Sequence, residues 1–262
     1  MNPTLNKFSL KDKRILVTGG TRRYGLHMCE GLAEAGGTVL LTSRDKTRAE
    51  TQARAFRERG LEAVGYALEL AEDDSIENLV STIIRDHGRI DVLVNNARRI
   101  PQLSPTEINR EELNHLFGVN CVGPILLTRR ITNEMRKTGG GNIINIGSIY
   151  GMVGQNLSIY DDPESNMSLD YPVQKGGMIA YTKQLATCLA QYHIRSNCLS
   201  LSGLRETAPD DTVFLKAYRK RTPMGRMALP EDVKGPIVFL ASDASAYMTG
   251  VNLVIDGGWT AW

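Results

Sequence analysis

Tyr171 and Lys175 stand four residues apart in the stretch Asp170-Tyr171-Pro172-Val173-Gln174-Lys175. On a helix that spacing puts the phenol and the ammonium on one face, a turn from each other. A phenol in water has a pKa of ~10, and bringing it near neutrality takes roughly 4 kcal/mol of differential stabilisation of the phenolate. A neighbouring ammonium supplies part of that, which makes Tyr171 a candidate general acid and base toward an alcohol or carbonyl oxygen. A tyrosine and a lysine at this spacing also meet by chance on many helices, so the pair takes its meaning from the elements that carry it.

Those elements alternate. Arg14-Ile15-Leu16-Val17-Thr18 is a short apolar run that stops at Gly19-Gly20, and a helical pattern through Leu26, Cys29, Leu32 and Ala33 follows to Ala35. Gly36-Gly37 ends it, and Thr38-Val39-Leu40-Leu41-Thr42 reads as a second buried strand. A strand, a glycine turn and a helix opening a βαβ unit form the context in which a pyrophosphate meets backbone amides and a helix N-terminus. Further strands are expected at 62–67, 91–94, 142–146, 195–199 and 252–255. Helices are expected at about 46–59, from Asp73, over a long region at about 107–135, around Tyr171, and at about 212–221. The alternation predicts an α/β fold: one Rossmann-type, doubly wound domain over 1–262, with a seven-stranded, mostly parallel sheet and helices on both faces.

Composition narrows the function. Thirty-one Lys+Arg against 29 Asp+Glu leave a net charge of +2, which gives no reason to expect nucleic acid or an anionic membrane as partner. Cys29, Cys121, Cys188 and Cys198 lack the spacing of a disulfide framework or a zinc site and read as buried free thiols. His27, His87, His115 and His193 are too dispersed to propose a metal site. The first residues lack a secretory signal and no apolar run is long enough to span a bilayer, so a cytoplasmic protein is expected. Two polar segments interrupt the rhythm, an insertion at about 156–170 beside the substrate pocket and a lid at about 202–229.

Thr18-Gly19-Gly20 with Gly25, then Asn95-Asn96-Ala97, Asn120, Ser148, Tyr171 with Lys175, and the ending Thr249-Gly250 to Asp256-Gly257-Gly258 occur in an order that resembles the short-chain dehydrogenase/reductase family over nearly the whole chain. The resemblance implies that Tyr171 gives a proton to a carbonyl during reduction and takes one from an alcohol during oxidation. It implies that Ser148 hydrogen-bonds the reacting oxygen, that Lys175 lowers the Tyr171 pKa and binds the nicotinamide ribose, and that Asn120 holds a water linking Lys175 to solvent. Two donors about 3 Å from an oxygen that gains negative charge are what such a site must supply, while the hydride comes from the cofactor. A small carbonyl or alcohol substrate and a homo-oligomer, tetramer or dimer, are the implied partners, with Trp259 and Trp262 packing against a neighbouring subunit.

For the cofactor, the resemblance assigns Gly19, Thr21, Arg22, Arg23, Tyr24 and Gly25 to the first turn, Glu69 and Leu70 to the adenine, and Asn96, Ala97, Leu204, Tyr171 and Lys175 to the rest of the dinucleotide. At the end of the second strand, an acid would grip a free ribose and an arginine would accept a 2′-phosphate. Ser43-Arg44 stands there, with no acid before Asp45 and with Arg22 in the turn, so NADP(H) is expected, NAD(H) remaining the alternative.

Three positions depart from the family pattern: Arg23 for the middle glycine of the turn, Arg98 for the glycine after Asn95-Asn96-Ala97, and Leu201-Ser202 for Pro-Gly. A side chain is costly wherever backbone must approach closely or adopt positive φ. Two readings stay open: an active reductase with an altered cofactor grip, and a non-catalytic scaffold on the same fold. Ser148 and Tyr171 are 23 positions apart, longer than the family's usual spacing. With Ser148-Ile149-Tyr150-Gly151 and Ser158-Ile159-Tyr160, that length is similar to the enzymes of nonulosonic-acid and flagellin-sugar modification. A polar, polyhydroxylated substrate is expected, with a keto-acyl or gluconate-type reductase as the rival, and the acidic stretch before Tyr171 as the place of substrate selection.

Overall fold

The computed structural model describes residues 2–206 and 212–262. Seven parallel strands, β1 (Arg14–Val17), β2 (Thr38–Ser43), β3 (Ala63–Ala67), β4 (Val92–Asn95), β5 (Gly141–Ser148), β6 (Ile194–Leu201) and β7 (Asn252–Ile255), pair in the order 3-2-1-4-5-6-7. Every pairing is parallel, where the sequence pattern predicts only a mostly parallel sheet. The order reverses between β1 and β4, the kind of switch point at which open α/β sheets bind ligands.

Alternate residues of each strand face opposite layers, and both layers are apolar. Ile15, Val17, Val39, Leu41, Ile144 and Ile146 join one core cluster; Leu16, Leu40, Leu93 and Ile143 join another. The helices follow from this two-sided demand. After a short α1 (Pro3–Asn6), α2 (Arg23–Glu34), α3 (Lys46–Arg57) and later α10 (Pro230–Ala241) bury Met28, Phe56 and Ile237 on the first face. On the second face, α4 (Asp73–His87) and α6 (Gly123–Lys137) bury Ile83 and Ile131.

The region at about 107–135 is not one helix. It runs as α5 (Arg110–Phe117), a π-helical turn at Gly118–Val122 and then α6, and Asn120 lies in the widened turn. The remaining helices are α7 (Pro163–Asn166), α8 (Tyr171–Leu189) and α9 (Val213–Arg221). Helix α10 was not anticipated from the sequence, although Pro230 opens it and Asp232 accepts from the Leu229 amide at 2.7 Å. Its mean composition is apolar enough to blur an amphipathic period, and Pro236 lies inside it.

Several further expectations change. Cys29 and Cys198 are buried, but Cys121 is half-buried and Cys188 exposed. Trp259 is buried within its own chain, its ring 4.6 Å from that of Tyr218, so it is not available to a neighbouring subunit, whereas Trp262 is exposed. Of the lid expected at 202–229, residues 207–211 lie outside the described residues. Among the described residues, no helix is long and apolar enough to cross a membrane.

Candidate active site

Beyond the carboxyl ends of the strands opens a cleft of about 750 Å3. The turn after β1 forms one wall with Gly19, Thr21, Arg22, Arg23, Tyr24 and Gly25. Its glycines are there for close approach: a Cβ on Gly25 would meet the Gly19 carbonyl oxygen and the Asn96 amide, and Gly19 has φ +65°. Asn96 ties this turn to the end of β4, donating from Nδ2 to the Thr18 carbonyl at 2.8 Å and to the Gly19 carbonyl at 3.1 Å. The Thr18 hydroxyl accepts from the Asn96 and Ala97 amides at 2.9 Å each.

Ser43, Arg44, Glu69, Leu70, Asn96, Ala97 and Leu204 line the same cleft. Asp45 does not line the cleft; its Oδ1 caps α3, accepting from the Thr47 amide at 2.8 Å and the Arg48 amide at 3.2 Å. Arg48 also lines the cleft and was missed from the sequence. The available signal was its place in the first turn of the helix that directly follows Ser43-Arg44.

At the other end, Ser148, Tyr171 and Lys175 line the cleft together. Ser148 is the last residue of β5 and is buried; its Oγ accepts from the Tyr150 amide at 3.2 Å, which leaves the O–H free to donate. Tyr171 begins α8, with Pro172 fitting the first turn, where its missing N–H costs nothing. The turn after Ser148 packs backbone to backbone on that helix. A Cβ on Gly151 would come within 2.8 Å of the Lys175 carbonyl carbon, so this contact sets the distance between the serine's strand and the tyrosine's helix.

Lys175 Nζ donates to the Ile146 carbonyl at 2.6 Å and lies 5.8 Å from the centre of the Tyr171 ring. Burial pushes its pKa down; the neighbouring Tyr171 acts upward and the charge of Arg98 downward. Asn120 does not line the cleft. It borders a cavity of about 10 Å3 behind it, shared with Asn95, Gln174 and Lys175. The Asn120 side chain is heavily engaged: Oδ1 accepts from the Arg99 amide at 2.7 Å, and Nδ2 donates to the Arg99 carbonyl at 3.0 Å and to Gln174 Oε1 at 2.9 Å. Gln174 in turn donates to the buried carboxylate of Asp170 at 2.8 Å.

The mouth beside Tyr171 is aromatic. Tyr150, Tyr160, Phe214 and Tyr218 line it, with Tyr160 and Phe214 stacked at 5.2 Å. Burial pushes the Tyr150 and Tyr218 phenols up. From the segment at 156–170 only Tyr160 reaches the lining. Asp161, Asp162 and Glu164 do not, and Asp162 instead caps α7, accepting from the Ser165 amide at 3.1 Å.

The departures from the family pattern divide. Arg23 holds φ +50°, so it keeps the left-handed backbone of a glycine position at a steric cost. Arg98 has no positive φ, and its guanidinium lies over the Tyr171 ring, 4.1 Å from the centre. Leu201 belongs to β6, and the Ser202 carbonyl accepts from the Tyr24 hydroxyl at 3.3 Å. Two of the three are therefore accommodated without strain.

A cleft at the switch point of a doubly wound sheet thus has a glycine turn at one end and a serine, a tyrosine and a lysine at the other. The family model described as enoyl-(acyl carrier protein) reductase matches residues 22–260. A cyclopentanol dehydrogenase of Comamonas is 31% identical over an alignment of 256 residues that covers 96% of this chain and 98% of that one. A gluconate 5-dehydrogenase of Burkholderia cenocepacia, solved with NADP and tartrate, superposes with a TM-score of 0.88 at 31% identity, covering 98% of this chain and 99% of its own. A short-chain dehydrogenase of Leptospira borgpetersenii with bound NAD+ gives 0.85 at 29% identity, with coverages of 97% and 95%. The chain belongs to the short-chain dehydrogenase/reductase family and is an NAD(P)-dependent alcohol/carbonyl oxidoreductase. The resemblance to nonulosonic-acid and flagellin-sugar enzymes, drawn from the long Ser148–Tyr171 spacing and two short Ser-Ile-Tyr stretches, finds no support among these relatives.

Proposed function

We propose that the protein interconverts a secondary alcohol and a carbonyl on a polar, sugar-like or keto-acid substrate, with NADP(H) as its preferred cofactor. The observation that carries the reading is the convergence of Ser148, Tyr171 and Lys175 on the cleft that the glycine turn enters. When bound, the nicotinamide supplies or accepts the hydride. The chain's residues fit such a group: the turn Gly19 to Gly25, packed so closely that Gly25 admits no Cβ, lines the cleft, and Arg22, Arg44 and Arg48 supply the positive charge that a 2′-phosphate needs. Gluconate, named for one relative, favours the polar substrate, and cyclopentanol, named for another, is its apolar rival.

In reduction, the Tyr171 O–H gives its proton to the carbonyl oxygen while the Ser148 O–H donates a hydrogen bond to the same atom. Lys175 spends one N–H on Ile146 and keeps two donors for a ribose or a water. The cavity behind it has room for about one water, and the buried Asn95 Oδ1 on its wall has no partner within the protein. Proton resupply to Lys175 runs through that water, with Asn120 as the wall that positions it.

Tyr171→Phe keeps the ring and removes the proton. We expect unchanged melting and nucleotide binding, with turnover lower by about 10²-fold or more. Undiminished turnover in this variant would remove Tyr171 from the chemistry.

A further inference from the structure

We propose that Arg98 is a carboxylate-binding residue of the reaction site, which makes the substrate a hydroxy- or keto-acid rather than a neutral alcohol; this rests on the cleft being the site of reaction. Among the described residues, the cleft is lined by six arginines and Lys175 against a single carboxylate, Glu69. The arginines belong to two places in the chain. Arg22, Arg23, Arg44 and Arg48 come from the turn after β1 and the start of α3, where one bound dinucleotide accounts for them. Arg98 and Arg99 follow β4 and flank the catalytic end.

These two differ in what already neutralises them. Arg99 pairs with Glu112 at 3.4 Å and is largely covered. Arg98 is exposed, and among the described residues no carboxylate pairs with it. What holds Arg98 is the face of Tyr171, 4.1 Å below its guanidinium carbon. Among the described residues the Arg98 guanidinium makes no hydrogen bond, so its N–H groups stay free, and these are the part that grips a carboxylate with two parallel hydrogen bonds. The phenol that handles the reacting oxygen thus also orients an anion receptor beside it. The aromatic wall of Tyr150, Tyr160 and Phe214 gives the carbon chain of the substrate a surface to lie on. A glycine, the family's usual residue here, supplies none of this.

The test compares D-gluconate with D-glucitol, equal in length and differing in the carboxylate, by calorimetric titration of the NADPH-saturated enzyme. Gluconate is expected to bind at least tenfold tighter, Arg98→Ala to erase that preference, and Arg98→Lys to keep only part of it. Equal binding of the two probes, or tighter binding of glucitol 6-phosphate than of gluconate, overturns the proposal. So does an Arg98→Ala variant whose loss falls on NADPH affinity, since Arg98 would then belong to the dinucleotide. Arg98-dependent gluconate binding in an enzyme whose turnover survives Tyr171→Phe would instead defeat the proposed mechanism and leave the carboxylate site standing.

Discussion

Tyr171 is held by its neighbours as much as by its helix. Arg98 covers one face of its ring, Lys175 is anchored 5.8 Å away on a backbone carbonyl, and Ser148 is fixed by a turn whose glycine touches the Lys175 backbone. Lys175 lies one turn along the same helix, whereas Arg98 and Ser148 come from the ends of two different strands, β4 and β5. Gly25 shows the same dependence at the other end of the cleft. Its missing Cβ is the space occupied by the Gly19 carbonyl and the Asn96 side-chain amide, and the Gly19 backbone cannot step aside as a flexible side chain would. Gly25→Ala is expected to cost ~1–3 kcal/mol of stability. It should also raise the KM for the nucleotide, read by denaturant melts alongside steady-state kinetics; wild-type values for both would mean the turn tolerates the methyl.

Among the elements, α8 and α10 show how much the local signal varies. Helix α8 carries two glycines and sends Tyr171 and Lys175 to the cleft, yet it forms because Pro172 suits its first turn and because it packs on β5, β6 and the turn after Ser148. Helix α10 depends on its N-terminus, where Asp232 accepts from the Leu229 amide and pairs with Arg226, its Oδ1 accepting from Nη2 at 2.9 Å. That pairing holds the Asp232 carboxyl below its ordinary value of 3.8. A depressed carboxylate stabilises the fold above its unfolded pKa and loses that contribution as pH falls through the folded one. Asp232→Asn should therefore lower stability by ~1 kcal/mol at neutral pH, a modest figure because the pair is partly solvated. The gap to the wild type should close below pH 3.8 and vanish once both carboxyls are protonated; a gap that persists unchanged in acid would assign the effect to packing.

Over the whole molecule the charge is close to balanced at +2, but the fold gathers six arginines onto one cleft. A field concentrated in a cleft attracts anions and weakens with ionic strength. The KM for NADPH should thus rise with added salt more steeply than the KM for NADH, which lacks the 2′-phosphate. Replacing Arg44 and Arg48 together by alanine should raise the KM for NADPH by about tenfold or more, with little change for NADH, since a charged hydrogen bond is worth ~1.5–3 kcal/mol. Equal salt slopes for the two nucleotides, or equal losses in the double variant, would point to NAD(H) instead.

The amino-acid sequence alone determined the alternation of strands and helices, the seven strands, the glycine turn and the order of Asn120, Ser148, Tyr171 and Lys175, because period and short-range spacing are local properties of a chain. It could not show that the long helical region opens into a π turn at Asn120, since hydrogen-bond register within a helix leaves little trace in residue type. Nor could it separate Arg98 from Arg99, or tell that Trp259 is covered by Tyr218 while Asp161 and Asp162 turn away from the pocket. Those outcomes depend on which side chains from distant segments arrive at the same place. Only the packed sheet, by bringing the ends of β1, β2, β4, β5 and β6 to one edge, decides it.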